Sequence, residues 1–451
     1  TEFNNQSSPA TFHTLGSQEL NGSFCGPDAT TSTISASPGA ITADGVSTST
    51  ITVQLKDKFG NNLTAGGDTV TLATDLGTLS GVTNNGDGTY SATLTSSTIA
   101  GTATITGTVN AAAITDDATV DFAGPVWVQR GSVSMGTNPL SVTINAVDTT
   151  KSFIVCDYMA GTSRPTARPT CELTGSTTVV ITSGEANVNT VVNWQVVRFE
   201  SGVTVQRGLR SFGTTDATLN QSISSSNLSR SFALVTTRTD NTSVAEDQKA
   251  LVWARLTNPT TLELSRGTTG AGSLDVAWQV ITMTSVSVQA GTTSIPVSNL
   301  SQNVTISAVN TSKTFVVFSL KGGSALIGVE GRYMTRGYLT NSTTLTFDRQ
   351  SSLESIDIAW FAVELTDSSA VQSGSVAGGT VSQADVTLAS VVPNRSLSFI
   401  SYDGGSNNND FDLDDVTWNS AITSSTNLHL ERAVINDRGN DIEWFVVEFP
   451  P

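Results

Sequence analysis

The chain has 451 residues, enough for several domains that each bury a core, and only 14% of them are charged although the formal net charge is −17. A surface made mostly of Ser, Thr, Asn and Gly, with carboxylates as its main ions, argues against nucleic acid as a partner, because phosphate recognition needs clustered Lys and Arg. It accommodates divalent cations, and no apolar run approaches the ~20 residues of a helical membrane span, so none is expected.

Residues 1–30 are polar and aperiodic. They read as an extended arm able to add a strand to the sheet edge of a neighbour. The start at Thr1 rather than Met reads as a mature, processed or tagged terminus. From Thr31 the pattern changes to short runs with apolar residues at every second position: Thr50–Lys56, Asp68–Leu72, Thr89–Leu94 and Gly101–Val109. Such alternation places one face of each strand in a core. Turn chemistry separates the runs at Ser37-Pro38-Gly39, Phe59-Gly60-Asn61-Asn62 and Asn84-Asn85-Gly86-Asp87-Gly88, and this rhythm predicts a β-sandwich. The Asn84–Asp87 turn reads as hairpin chemistry rather than a ligand set.

Three linked segments carry a family resemblance: Ala43-Asp44-Gly45-Val46-Ser47-Thr48-Ser49, the strand and turn from Ile51 through Phe59-Gly60-Asn61, and Gly86-Asp87-Gly88-Thr89-Tyr90-Ser91-Ala92. Together they resemble the bacterial Ig-like group 1 domain of invasin and intimin, over about residues 31–123. The resemblance implies a cell-surface or extracellular spacer module and no binding site of its own.

After residue 124 the sequence repeats. Each copy opens on Val-Gln-x-Gly, at Val128, Val205, Val288 and Val371. A basic-hydroxyl-apolar strand follows at Lys151-Ser152-Phe153, Arg230-Ser231-Phe232, Lys313-Thr314-Phe315 and Arg395-Ser396-Leu397. A third strand covers Thr178–Ile181, Thr261–Leu264, Thr344–Phe347 and Asn427–Leu430, and a closing strand carries Trp194, Trp278, Trp360 or Trp444. The tryptophans stand roughly 84, 82 and 84 residues apart, a domain-scale period. The expected modules are 125–202, 203–285, 286–369 and 370–451, stacked as an array or closed into one head. In Asp357–Leu365, Ile358, Trp360 and Ala362 share one face while Phe361, Val363 and Leu365 share the other. A strand apolar on both faces is central, so each tryptophan is expected to anchor a core; the alternative is a row of sugar-stacking platforms. The order of strands, with Ile358-Ala359-Trp360-Phe361-Ala362 as the best match, is similar to H-type lectin domains and related phage-fibre modules. That resemblance implies a six-stranded sandwich.

Candidate sites are few. Cys156 and Cys171 bracket a loop containing Pro and Arg. A disulfide there would stabilise by about 3 kcal/mol in the chain-entropy model, and the composition suits an oxidising, extracellular setting; two reduced thiols are the alternative. Cys25 is left over. Asp403, Asp410, Asp412 and Asp414 lie in a Gly- and Asn-rich run that could gather oxygen ligands for calcium, or form a solvated loop. The two histidines, His13 and His429, supply neither a Ser-His-Asp triad nor a zinc site, so no enzyme is expected. Sequons recur, at Asn220, Asn227, Asn241, Asn299, Asn303, Asn310, Asn341 and Asn394.

The expectation is therefore an all-β chain, an Ig-like sandwich followed by four antiparallel β-sandwich repeats. Its expected role is an extracellular structural or adhesive surface protein, a subunit of a filament, fibre or surface layer. It would bind copies of itself or other surface proteins. The alternative is a glycan-binding adhesin or phage receptor-binding fibre using the variable loops.

Overall fold

The computed structural model describes residues 26–450 except 44, 98–100, 124–125, 163, 187, 243–248, 271, 323–332, 380, 405–412 and 434–439. The arm up to residue 25, with His13 and Cys25, lies outside the described residues. The chain is all-β and divides into two compact units that part at residues 125 and 126.

The first unit is a two-sheet sandwich. Thr33–Ser37, Thr48–Gln54 and Thr89–Thr95 pair antiparallel in one sheet. In the other, Ala118–Ala123 pairs antiparallel with Gly101–Val109 and parallel with Ala40–Thr42. The chain thus changes sheets across Pro38-Gly39. The alternating residues meet as expected: Ile51, Val53, Leu94, Ala103, Ile105 and Val120 are fully buried. Residues from Asp28 already belong to this unit. The Asp28 N–H donates to Lys56 O at 2.8 Å and the Thr31 hydroxyl to Asp57 O at 2.7 Å, so the arm ends slightly before residue 30. In the Asn84–Gly88 turn, Gly88 sits at φ 84°, where a Cβ would lie 1.8 Å from Leu63 O, so only glycine fits.

The second unit holds four modules of six strands. In the first module these are Val126–Ser134, Leu140–Thr143, Ser152–Met159, Pro169–Gly175, Thr178–Ser183 and Val191–Phe199. The first, sixth and third strands form one antiparallel sheet, and the second, fifth and fourth form the other. Every module repeats this order.

The repeated residues have physical reasons. Gly131, Gly208, Gly291 and Gly374 each sit directly across the sheet from Trp194, Trp278, Trp360 and Trp444. A Cβ at these glycines would meet the indole Cζ2 at 2.6, 2.9, 2.7 and 2.9 Å. The ring folds over the glycine backbone and is 6–8% exposed, so the tryptophans are core anchors. The glutamine of the same motif grips the loop after the second strand through two bonds. Gln129 donates to Asn145 O at 2.9 Å and accepts from Asn145 N at 2.7 Å; Gln206, Gln289 and Gln372 repeat this with Ser224, Ser307 and Ala389. The buried hydroxyl of each third strand closes the preceding turn: Ser152, Ser231, Thr314 and Ser396 donate to the carbonyl four residues back at 2.7–2.8 Å.

The modules close on one another as a ring. The fourth strand of each packs on the third strand of the next, and the fourth module returns to the first. One bond recurs around the ring. The N–H of Cys171 donates to Thr236 Oγ1 at 3.1 Å, that of Ala254 to Ser319 Oγ at 2.8 Å, and that of Gly337 to Ser401 Oγ at 3.2 Å. At the closing seam the matching pair is Ser420 with Asp157, whose carboxylate accepts from the Ser420 hydroxyl and backbone. Phe153, Phe232, Phe315 and Leu397, each at most 2% exposed, meet in one apolar cluster drawn from all four modules. Edge contacts link the rings: Phe153 to Phe232 at 6.3 Å and Phe232 to Phe315 at 5.9 Å. The sixth strand is therefore buried on both faces for two different reasons. Val192, Trp194 and Val196 fill their own sandwich, while Asn193 and Gln195 face the neighbouring module.

Candidate functional site

In the first module Ser134, the end of Ser152–Met159 and the start of Val191–Phe199 lie side by side. The loops after the first, third and fifth strands consequently leave at one end, and the chain enters the module at Val126 at the other. The same holds in the fourth module, where Ala377 and Tyr402 border Asp441 and Ile442. Contacts across the seams keep these ends together: Ala160 N donates to Thr417 Oγ1 at 2.8 Å, and Arg336 of the third module meets Asp403 and Asp441 of the fourth. The third strand of every module ends beside the start of its sixth strand, and the sequences that follow these third strands differ most among the modules.

Between the third strands lies a cavity of about 310 Å³. Val155, Leu234, Val317 and Phe399, one from each module, wall it above the phenylalanine cluster. Tyr158, Arg168 and Tyr402 line it as well. An apolar hollow with a few polar groups is the usual form of a ligand site. Burial pushes the Tyr402 hydroxyl far up from its ordinary value, and charge repulsion from the ionisable Tyr158 hydroxyl adds to this.

The seams are chemically unlike. Gln279 bridges to the first module through both backbone groups of Ile154, at 2.9 and 2.8 Å. Gln195 does the same to Ser398 of the fourth, at 3.0 Å in each direction. In the other two seams the equivalent side chains are Phe361 and Phe445. At the third–fourth seam one guanidinium serves several carboxylates: Arg336 lies 3.4 Å from Asp348, 3.6 Å from Asp403 and 3.4 Å from Asp441. Burial raises Asp403 to about 7, against the Asp441 N–H bond that favours its ionised form. Burial likewise raises Glu443 and Asp157 to about 7, each opposed by a serine hydrogen bond.

The residues singled out from sequence fall as follows. Trp194, Trp278, Trp360 and Trp444 are all buried, Trp194 and Trp444 in clusters of their own modules and Trp278 and Trp360 in the apolar cluster that runs through the four modules, so they form no row of exposed platforms. Cys156 and Cys171 are joined as a disulfide with Cα atoms 6.6 Å apart, linking the two sheets of the first module. Asp403 is 1% exposed and turned inward, accepting from Asp441 N at 2.7 Å and Gln350 Nε2 at 3.1 Å. Asp410 and Asp412 lie outside the described residues, and Asp414 falls in the short helix Leu413–Val416. Among the described residues no group of His, Cys, Asp and Glu is arranged to hold a metal ion. His429 pairs with Asp385 of the adjacent strand at 2.9 Å. Several sequons turn out to be turn chemistry: the Asn227, Asn310 and Asn341 carbonyls accept the N–H two residues on, at 3.1, 3.0 and 2.9 Å. Sequence reasoning missed the ring seams and the cavity. The signal available was the second apolar face of the sixth strand.

Residues 28–124 match the family described as Invasin, domain 3. Among solved structures, the chain is similar to the Yersinia pseudotuberculosis adhesin InvE, at 20% identity over 52% of this chain and 74% of that one, with a TM-score of 0.21. It is similar to invasin, described as a bacterial integrin-binding protein, at 18% identity over 75% and 81%, with a TM-score of 0.22. It is similar to the Escherichia coli adhesin FdeC at 15% identity over 77% and 93%, with a TM-score of 0.20. The sandwich at residues 28–124, with the sheet pairing described above, is a bacterial Ig-like domain of the invasin type.

Proposed function

We propose that the chain is an extracellular, adhesive surface protein in which the invasin-type domain acts as a spacer and the four-module ring as the adhesive head. The observation that carries this reading is directional. The chain enters the head at Val126, and the loops that vary most among the modules leave from the opposite end. Binding loops carried by a rigid sheet scaffold are the common arrangement of recognition proteins. Ring closure favours a discrete head over an open array, because each module already uses its third and fourth strands on a neighbour. No catalytic role is proposed. Calcium at Asp410, Asp412 and Asp414 remains part of the proposal, with Asp403 withdrawn from the ligand set by its own partners; added calcium should raise the melting temperature, and EDTA should reverse it.

The test is adhesion of beads coated with the full chain to cultured cells, with soluble chain as competitor, beside a glycan array and negative-stain microscopy. Saturable, competed adhesion by single particles is expected. Ordered polymers without adhesion would overturn the reading in favour of a filament subunit, and selective glycan binding would identify the ligand as carbohydrate.

A further inference from the structure

The hollow between the third strands is built in layers, each drawing one residue from the same position of every module. Val155, Leu234, Val317 and Phe399 form its floor. Three residues further along the strands, Tyr158, Thr237, Leu320 and Tyr402 form its rim, and Val235, Phe318 and Ile400 wall the space between. A strand rises about 3.3 Å per residue, so floor and rim stand about 10 Å apart. Tyr158, Leu320 and Tyr402 stay only half-buried although their strands stand at the centre of the ring, because they border this space. Its volume of about 310 Å³ is roughly twice the 150 Å³ of a cavity that admits one benzene ring. Two fused rings fit it. Water held against such walls makes few hydrogen bonds, so an apolar occupant gains by displacing it.

The polar groups at the hollow are not equivalent. Thr236, Ser319 and Ser401 receive the N–H bonds that hold three seams, and Asp157 is engaged by Ser420 at the fourth. The Tyr402 hydroxyl takes a hydrogen bond from the Trp418 N–H, but among the described residues no group accepts its own proton. A donor beside a mostly apolar hollow is best satisfied by an acceptor that the occupant brings. Arg168 and Asp157 act on the Tyr402 oxygen with opposite signs, so a head of either charge meets a like charge as well as an opposite one. A neutral head suits the hollow.

We propose that this hollow binds a neutral, apolar molecule the size of two fused rings that carries one hydrogen-bond acceptor, its rings on the floor side chains and its acceptor on the Tyr402 hydroxyl. Sugars do not fit this description, since the walls offer their hydroxyls few partners. The inference does not depend on the adhesive reading.

The test titrates the full chain by calorimetry with 2-acetylnaphthalene, and with naphthalene as the probe that lacks the acceptor. One site with a dissociation constant on the order of 0.1 mM is expected for a ligand of about 13 heavy atoms. Tyr402→Phe keeps the shape and removes the donor; it should weaken the ketone about three- to tenfold and leave naphthalene within about twofold. Val317→Phe sets in the third module the residue that the fourth already carries as Phe399, fills the hollow and should remove binding of both probes. Leu234→Phe should do the same from the second module. Absence of saturable binding by the wild-type chain up to about 0.5 mM, roughly five times the expected constant, would overturn the proposal. Undiminished binding in either filled variant that melts cooperatively, or an equal effect of Tyr402→Phe on the two probes, would overturn it as well.

Discussion

The glycine under each tryptophan gives the sharpest energetic prediction. In Gly131→Ala the new methyl would stand 2.6 Å from Trp194 Cζ2 and 2.9 Å from Cε2. Carbon atoms rest at about 3.5–4.0 Å, so the ring or the strand must retreat by roughly 1 Å. Trp194 is 7% exposed and packed with Val192, Val196 and Ile181, which leaves it little room. Overpacking of this kind costs about 1–3 kcal/mol. Alanine in a strand would otherwise gain about 0.5–1 kcal/mol over glycine, so the sign should depend on the indole. Urea unfolding, followed at the head's transition, reads both. The expected result is a loss of about 1–3 kcal/mol for Gly131→Ala in the wild-type background, and none, or a small gain, in a Trp194→Leu background. The same cost in both backgrounds would refute the packing argument.

Three further outcomes follow from the seams and the first module. Asp157, Asp403 and Glu443 are each raised to about 7 by burial, so between about pH 4 and pH 7 the native state holds protons that the unfolded chain has lost. Stability therefore falls as pH rises through that window and levels off above it; the urea midpoint should be higher at pH 5 than at pH 8, less so in Glu443→Gln, and a rise in midpoint from pH 5 to pH 8 would contradict the assignment. Gln279→Ala strips both backbone groups of buried Ile154 of their partners, at about 1–3 kcal/mol for each, and should raise amide exchange along Ser152–Met159 before other third strands. Reducing the Cys156–Cys171 bond should lower stability by about 3 kcal/mol, with alkylation and mass spectrometry showing both thiols protected until reductant is added.

The individual sandwich was legible because its determinants are local and repeated. The Val-Gln-x-Gly element and the closing tryptophan recur because each glycine lies opposite its indole. The ring was not legible, because its seams are made of residues that differ from copy to copy. Gln195 and Gln279 answer to Phe361 and Phe445, and Asp157 to Thr236, Ser319 and Ser401. The second apolar face of Asp357–Leu365 pointed to burial on both sides without saying that the second cover was another module. The cavity shares that difficulty, since Val155, Leu234, Val317 and Phe399 stand far apart in sequence and meet only after closure. Asp403 misled for a related reason. A Gly- and Asn-rich acidic run reads as solvated, yet its first carboxylate is the last residue before the loop and lies against the Asp441 N–H.

Closure of the four modules is the claim on which the seams, the cavity and the directional reading all rest. Small-angle X-ray scattering of residues 126–450 tests it directly. A closed head of this length should have a radius of gyration of about 20 Å. Four sandwiches end to end, each about 30 Å along its strands, would span about 120 Å and give about 35 Å. A value near the first is what the ring predicts, and a value near the second would contradict it.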